Sequence, residues 1–183
     1  KGDTLYMSAY NGVKLIHIDT AIVNEQNSAI FSAKGKLPDG MYSIGKNQDN
    51  AFDFLLSKKQ PQKFTVSYDT ANISGSLKFE GSPENTEFTN YRNTGVLDKK
   101  LSNKKYKMLS FFLQTIDDKV NYEQSKDIIK KHYFDNIDFT DERIIRMPVL
   151  EGKFYEYFFN VLDILDTTEL IKGVEDILDK ASN

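Results

Sequence analysis

The chain has 183 residues, no cysteine and no tryptophan, with 39% hydrophobic residues, 28% charged residues and a formal net charge of -3. Within these residues the missing thiols exclude a disulfide framework, a thiolate metal site, a cysteine nucleophile and a dithiol redox pair. The rest is a globular composition whose mild negative balance works against nucleic-acid binding, which depends on neutralising phosphates.

The first eighty residues alternate in the manner of short strands. Leu5 to Tyr10 runs into Asn11-Gly12, a pair that predicts a hairpin turn because both central positions favour positive φ. Val13 to Val23 is β-branched, with Ile16, Ile18, Thr20 and Ile22 assigned to one face and Leu15, His17 and Asp19 to the other. Further strands are predicted at Ala29–Ala33, Met41–Ile44, Phe52–Leu56, Lys63–Tyr68 and Gly75–Phe79. They are separated by turn chemistry such as Leu37-Pro38-Asp39-Gly40 and Gln60-Pro61-Gln62. Short strands at this spacing argue a β-sandwich or barrel and offer no parallel βαβ pattern.

The period changes at Gly81-Ser82-Pro83-Glu84-Asn85. Ser82 reads as an N-cap, Pro83 suits the first helical position and Glu84 complements the helix dipole. A helix is predicted from there to about Lys119, interrupted near Asn93-Thr94-Gly95 or Ser102-Asn103, with an apolar face of Met108, Leu109, Phe112, Leu113 and Ile116. A second covers about Tyr122 to Phe134, with Ile128, Ile129 and His132 or Tyr133 inward. A third runs from Thr140 to before Pro148, and a fourth from Gly152 to Leu162 with Phe154, Phe158, Val161 and Leu162 in phase. The fifth begins at Asp166, which stands at capping-box spacing from Glu169, and its stripe is Leu170, Val174, Ile177 and Leu178. The expected fold class is α+β: an antiparallel β-sandwich over residues 1–81 followed by an α-helical module over 82–183.

No residue pattern signals a reaction, so no catalytic, cofactor-binding or metal-binding residue is assigned. His17 and His132 lie in different halves, and no Gly-x-Ser-x-Gly elbow accompanies either. Asp135, Asp138, Asp141 and Glu142 invite a calcium reading, but they lack the EF-hand alternation and its turn glycine. Asp141 and Glu142 fit better as complements to a helix dipole. A hydrolase built on Asp135 and Asp138 would need both carboxyls in one cleft with split pKa values. Lys99, Lys100, Lys104, Lys105 and Lys107 cluster around Tyr106, yet without arginine they read as a solvated face rather than a phosphate-binding patch. Tyr6, Tyr10, Tyr42, Tyr68, Tyr155 and Tyr157 could line a sugar or peptide groove, against the plainer reading that a Trp-free chain fills its core with Phe and Tyr. No run reaches the roughly 18 apolar residues of a membrane span.

Three strings in the β half carry a resemblance: Ile18-Asp19-Thr20-Ala21, Gly40-Met41-Tyr42 and Gly81-Ser82-Pro83-Glu84-Asn85. The chain there resembles the N-terminal β-sandwich domain of Bacteroidetes-type extracytoplasmic thiol-disulfide oxidoreductases, many of them lipoproteins that end in a thioredoxin-like domain. The helical half, through His132-Tyr133-Phe134-Asp135-Asn136-Ile137-Asp138-Phe139-Thr140-Asp141-Glu142-Arg143, resembles the domain that often sits between. The resemblance implies a periplasmic or cell-envelope location, a downstream thioredoxin-like domain as partner, a client protein or peptide, and no nucleic acid. It also implies membrane anchoring through a lipid attached ahead of Lys1, which fits a chain beginning without Met. The family's Cys-x-x-Cys chemistry has no counterpart here, since disulfide exchange requires a thiolate. The expected role is therefore a non-catalytic front module that spaces or docks the redox domain, with glycan or peptide binding as the alternative.

Overall fold

A computed structural model describes residues 2–96, 126–135, 137, 139 and 141–182. The expected lysine cluster at 99–107 and the apolar face at 108–116 lie outside the described residues, as do Asp138 and the start of the second helix. The fold is α+β. Strands β1 (Thr4–Asn11), β2 (Lys14–Ile22), β3 (Gly40–Gly45) and β4 (Ala51–Leu56) form one antiparallel sheet in the order β2-β1-β3-β4. Strands β5 (Thr65–Ser67) and β6 (Lys78–Glu80) form a second, two-stranded antiparallel sheet. Helices α1 (Ile73–Ser76), α2 (Pro83–Thr94), α3 (Lys126–His132), α4 (Val149–Glu156) and α5 (Thr167–Ser182) are the α-helices among the described residues. A 3-10 helix (Glu142–Arg146) and a π-helical segment (Tyr157–Val161) join them.

The large sheet is covered on both faces, and strand alternation decides which side chain goes where. Met7, Tyr42, Phe52, Phe54 and Leu56 form one buried cluster with Phe64, Val66 and Phe79 from the small sheet and its approach. Met41 and Leu55, directly paired across β3 and β4, point the other way into a cluster with Phe88, Ile129, Tyr133, Phe134, Met147, Tyr157 and Leu162. One sheet thus serves two cores. The consecutive Leu55-Leu56 pair is buried on both residues for this reason.

Several predicted elements shift. The first hairpin closes on Gly12-Val13, because Asn11 pairs with Lys14 and only Gly12 of the expected pair takes positive φ (58°). The assignment of faces in β2 fails at a bulge opposite Met7 and Ser8, where Met7 pairs with Asp19 and Ser8 with His17. Ile16 therefore aligns with Ala9, while Ile22 aligns with Thr4 on the other face. Residues 29–33 form no strand: both neighbours of β3 are already β1 and β4, and Phe31 packs into the core from a loop. Gly40 opens β3 rather than a turn, and Gly75 lies in α1 rather than in a strand.

Among the helices, α2 breaks at the first of the two expected interruptions, and the expected continuation to Lys119 lies outside the described residues after Val96. Gly95 takes a left-handed conformation and donates its N–H to the Tyr91 carbonyl. The third helix is only a 3-10 turn, capped by the Asp141 carboxylate on the Arg143 N–H. The fourth begins at Val149, and its last turn is π-helical, which brings Tyr157 into the core; the predicted phase omitted Tyr157. Asp166 caps α5 by accepting from the N–H groups of Thr168 and Glu169, but Glu169 reaches back to the N–H of Asp163 instead of closing the capping box. Of the predicted α5 stripe, Leu170 and Ile177 pack inward, whereas Val174 and Leu178 are exposed. Among the described residues, the inward packing of α5 runs through Leu170 and Ile177.

Candidate functional site

The densest polar chemistry lies where the large sheet meets the helices, and it starts from the Gly81–Asn85 string. Gly81 takes positive φ (85°), turning the chain from β6 into α2. Ser82 occupies the N-cap position but makes no cap bond with its side chain; its Oγ accepts from Asn85 Nδ2 at 2.8 Å. The Ser82 hydroxyl thus orients another side chain instead of capping the helix. Asn85, with 0% exposure, accepts from the Leu55 N–H at 2.6 Å and donates to the Leu55 carbonyl at 2.9 Å. Leu55 lies on β4, an edge strand of the large sheet, so the Asn85 amide takes the place of a neighbouring strand.

Two ionic groups flank this clamp. Asp53 accepts from the Tyr10 hydroxyl at 3.2 Å and from Arg92 Nη1 at 2.7 Å, tying β1, β4 and α2 together. Burial first, then the charge and hydrogen bond of Asp53, push the Tyr10 phenol up to about 12. Arg92 also sits 5.8 Å from the centre of the Phe88 ring. On the other side, Arg143 of the 3-10 helix pairs with Asp141 and lies 3.9 Å from Asp39. Its pKa is raised first by the hydrogen bond to Asp141, against burial, with Asp39 and the buried Glu84 adding to the effect. Asp39 accepts from the Lys58 N–H, and its carbonyl accepts from Arg146 at 3.4 Å. A Cβ on Gly40 would stand 2.9 Å from that of Arg146, so the close approach of the 3-10 helix explains the glycine. The Gly12 N–H completes the seam by donating to the Ile145 carbonyl at 2.8 Å.

The residues considered from sequence are dispersed. His17 contacts the Tyr6 ring edge-on from β2, while His132 binds Asp135 at 2.6 Å on the surface of the helical part. Asp135 also accepts from Lys180 at 2.9 Å. Although burial opposes it, these bonds to Lys180 and His132 hold its carboxyl below the usual range. Asp141 is engaged by Arg143. Among the described residues no cluster of His, Cys, Asp and Glu is arranged to hold a metal. Of the six tyrosines, Tyr42 and Tyr157 are core, Tyr10 and Tyr68 are half-buried, and Tyr6 and Tyr155 are exposed. Tyr155 stacks on Phe159 with ring centres 4.6 Å apart, and both rings face solvent. Sequence reasoning missed Asn85, Asp39 and Arg143 as joining residues. The Gly-Ser-Pro-Glu-Asn string was the one signal that pointed to the first of them.

Residues 1–88 match a family model described as a domain of unknown function, DUF4369. Residues 115–183 match a second, also described as a domain of unknown function, DUF5106. The chain therefore carries similarity to two uncharacterised domains in tandem. No curated protein and no solved structure matches it. The first match runs through Asn85 and ends at Phe88, so it contains both Leu55 and the amide that clamps it. Among the described residues no helix is long and apolar enough to cross a membrane.

Proposed function

We propose that this chain is a non-catalytic front module of a cell-envelope thiol-disulfide oxidoreductase, which spaces or docks a downstream thioredoxin-like domain and offers a surface to client protein. The reading rests on the resemblance of its sequence strings and on one structural observation. The polar side chains at the seam between sheet and helices join elements to one another: the buried Asn85 holds β4, the partly buried Asp53 holds Tyr10 and Arg92, and the partly buried Arg143 holds Asp141 beside Asp39. An arm that sets the distance between an anchor and a redox domain requires that kind of joining and no thiol of its own. The chain alone is expected to leave the rate of insulin reduction by dithiothreitol unchanged. Acceleration by the isolated chain would contradict the assignment.

A glycan-binding role is the second reading, and the exposed Tyr155–Phe159 stack supports it, since sugar rings stack on such faces. Tyr155→Ala should then abolish retention on whichever immobilised glycan holds the chain. Retention unaffected by that change would remove this reading.

A further inference from the structure

Two loops beside the small sheet, residues 29–38 and 57–64, carry Lys34, Lys36, Lys58, Lys59 and Lys63 and no Asp or Glu, in a chain whose formal net charge is -3. Direct contacts hold the loops together. The Gln62 amide accepts from the Leu37 N–H at 2.8 Å and donates to the Leu37 carbonyl at 3.0 Å. The Lys36 ammonium donates to the Lys58 carbonyl. Beneath them Phe31, Leu37 and Phe64 pack into one cluster, so the lysines share one flank of the β core. All five are exposed. Among the described residues none of them forms an ion pair with a carboxylate. Asp39, which follows the first loop, accepts from the Lys58 N–H and lies beside Arg143 instead. In the same loop Ile30 is 80% exposed, although the next residue, Phe31, is turned into the core.

Like charges gathered on one flank repel one another and favour an anionic partner. The two loops contain no arginine, so no planar fork is present to recognise a single carboxylate or phosphate by paired bonds. Flexible ammonium groups suit diffuse attraction to many headgroups at once. The bare Ile30 side chain then discriminates between anionic partners. An apolar group gains from the headgroup–acyl boundary of a bilayer and gains little from a soluble polyanion. We propose that this flank docks on an anionic lipid bilayer, with Ile30 entering the interface and the five lysines lying on the headgroups. The inference stands on the charge of the loops and on Ile30, and it does not depend on the redox reading.

The test is co-sedimentation of the full chain with sucrose-loaded vesicles, either phosphatidylcholine alone or phosphatidylcholine and phosphatidylglycerol in equal parts. The chain should sediment with the anionic vesicles and stay in solution with the neutral ones. Added salt should weaken binding. Lys58→Gln combined with Lys59→Gln should weaken it by about 25-fold, and Ile30→Ser by about tenfold. Lys14→Gln combined with Lys172→Gln removes the same charge from β2 and α5 and should leave binding unchanged. All five positions are exposed, so the variants should unfold at the temperature of the unaltered chain, which circular dichroism checks. No binding to either vesicle, equal binding to both, or equal losses in the two double variants would overturn the proposal. Binding that Ile30→Ser leaves unchanged would overturn it too, and equal affinity for soluble polyglutamate would assign the flank to an acidic protein instead.

Discussion

The side-chain amide of Asn85 completes the backbone hydrogen bonding of Leu55, donating to its carbonyl and accepting from its N–H across 30 positions of sequence. An edge strand ordinarily leaves alternate N–H and C=O groups to water or to another strand. Here α2 covers β4, and the Asn85 amide supplies the same donor and acceptor as a peptide unit. Removing it leaves two buried backbone groups without partners. Asn85→Ala is expected to destabilise the fold by about 2–4 kcal/mol, measured by urea unfolding. Ser82→Ala, which removes only the bond that orients Asn85, is expected to cost about 1 kcal/mol. Equal losses for the two variants would contradict the clamp.

A pair of helical glycines gives opposite expectations from one substitution. Gly152 has open space around its Cα, so Gly152→Ala should stabilise by up to about 1 kcal/mol through helix propensity. Gly173 faces Leu162 Cδ1 and the Tyr157 ring, so Gly173→Ala should instead destabilise by about 1–3 kcal/mol through overpacking. Thermal unfolding of the two variants reads the sign directly.

Burial of Tyr10, together with the charge and hydrogen bond of Asp53, makes its phenol a pH-dependent contributor in the alkaline range. The folded phenol ionises near 12, above its ordinary value of 10.0. The folded state therefore holds this proton more tightly than the unfolded state. Its contribution is complete below pH 10 and is lost as pH rises from there toward 12. Tyr10→Phe should flatten that part of the stability curve. Carbon-13 NMR of the labelled Tyr10 ring should place the titration above those of exposed tyrosines such as Tyr6.

Much of the fold was legible in the sequence because strands and caps are local. The strands over Leu5–Tyr10, Met41–Ile44 and Phe52–Leu56 and the break near Asn93-Thr94-Gly95 each depend on a few neighbours. What could not be read depends on contacts between distant segments. Nothing local to Asn85 says that it will meet Leu55, and nothing local to Gly40 says that Arg146 will cross it. The bulge that re-aims Ile16 and Ile18 is a property of pairing with β1. The periodicity of α5 correctly found an apolar face but could not tell that only Leu170 and Ile177 would find a core.

This division predicts a contrast between apolar truncations. Phe88, 1% exposed between the sheet and the helices, should cost about 3–5 kcal/mol on change to alanine. Leu178→Ala should fall within about 0.5 kcal/mol of the unaltered chain, although periodicity puts Leu178 on the apolar stripe of its helix. Chemical denaturation of the two variants checks it; a large loss at Leu178 would mean that α5 is covered.

The claim that this chain is the front module of a disulfide oxidoreductase is tested most directly by reading the coding sequence beyond the codon for Asn183. The account expects an in-frame domain carrying a Cys-x-x-Cys motif. A reading frame that stops there, or continues into a domain without that motif, would contradict it.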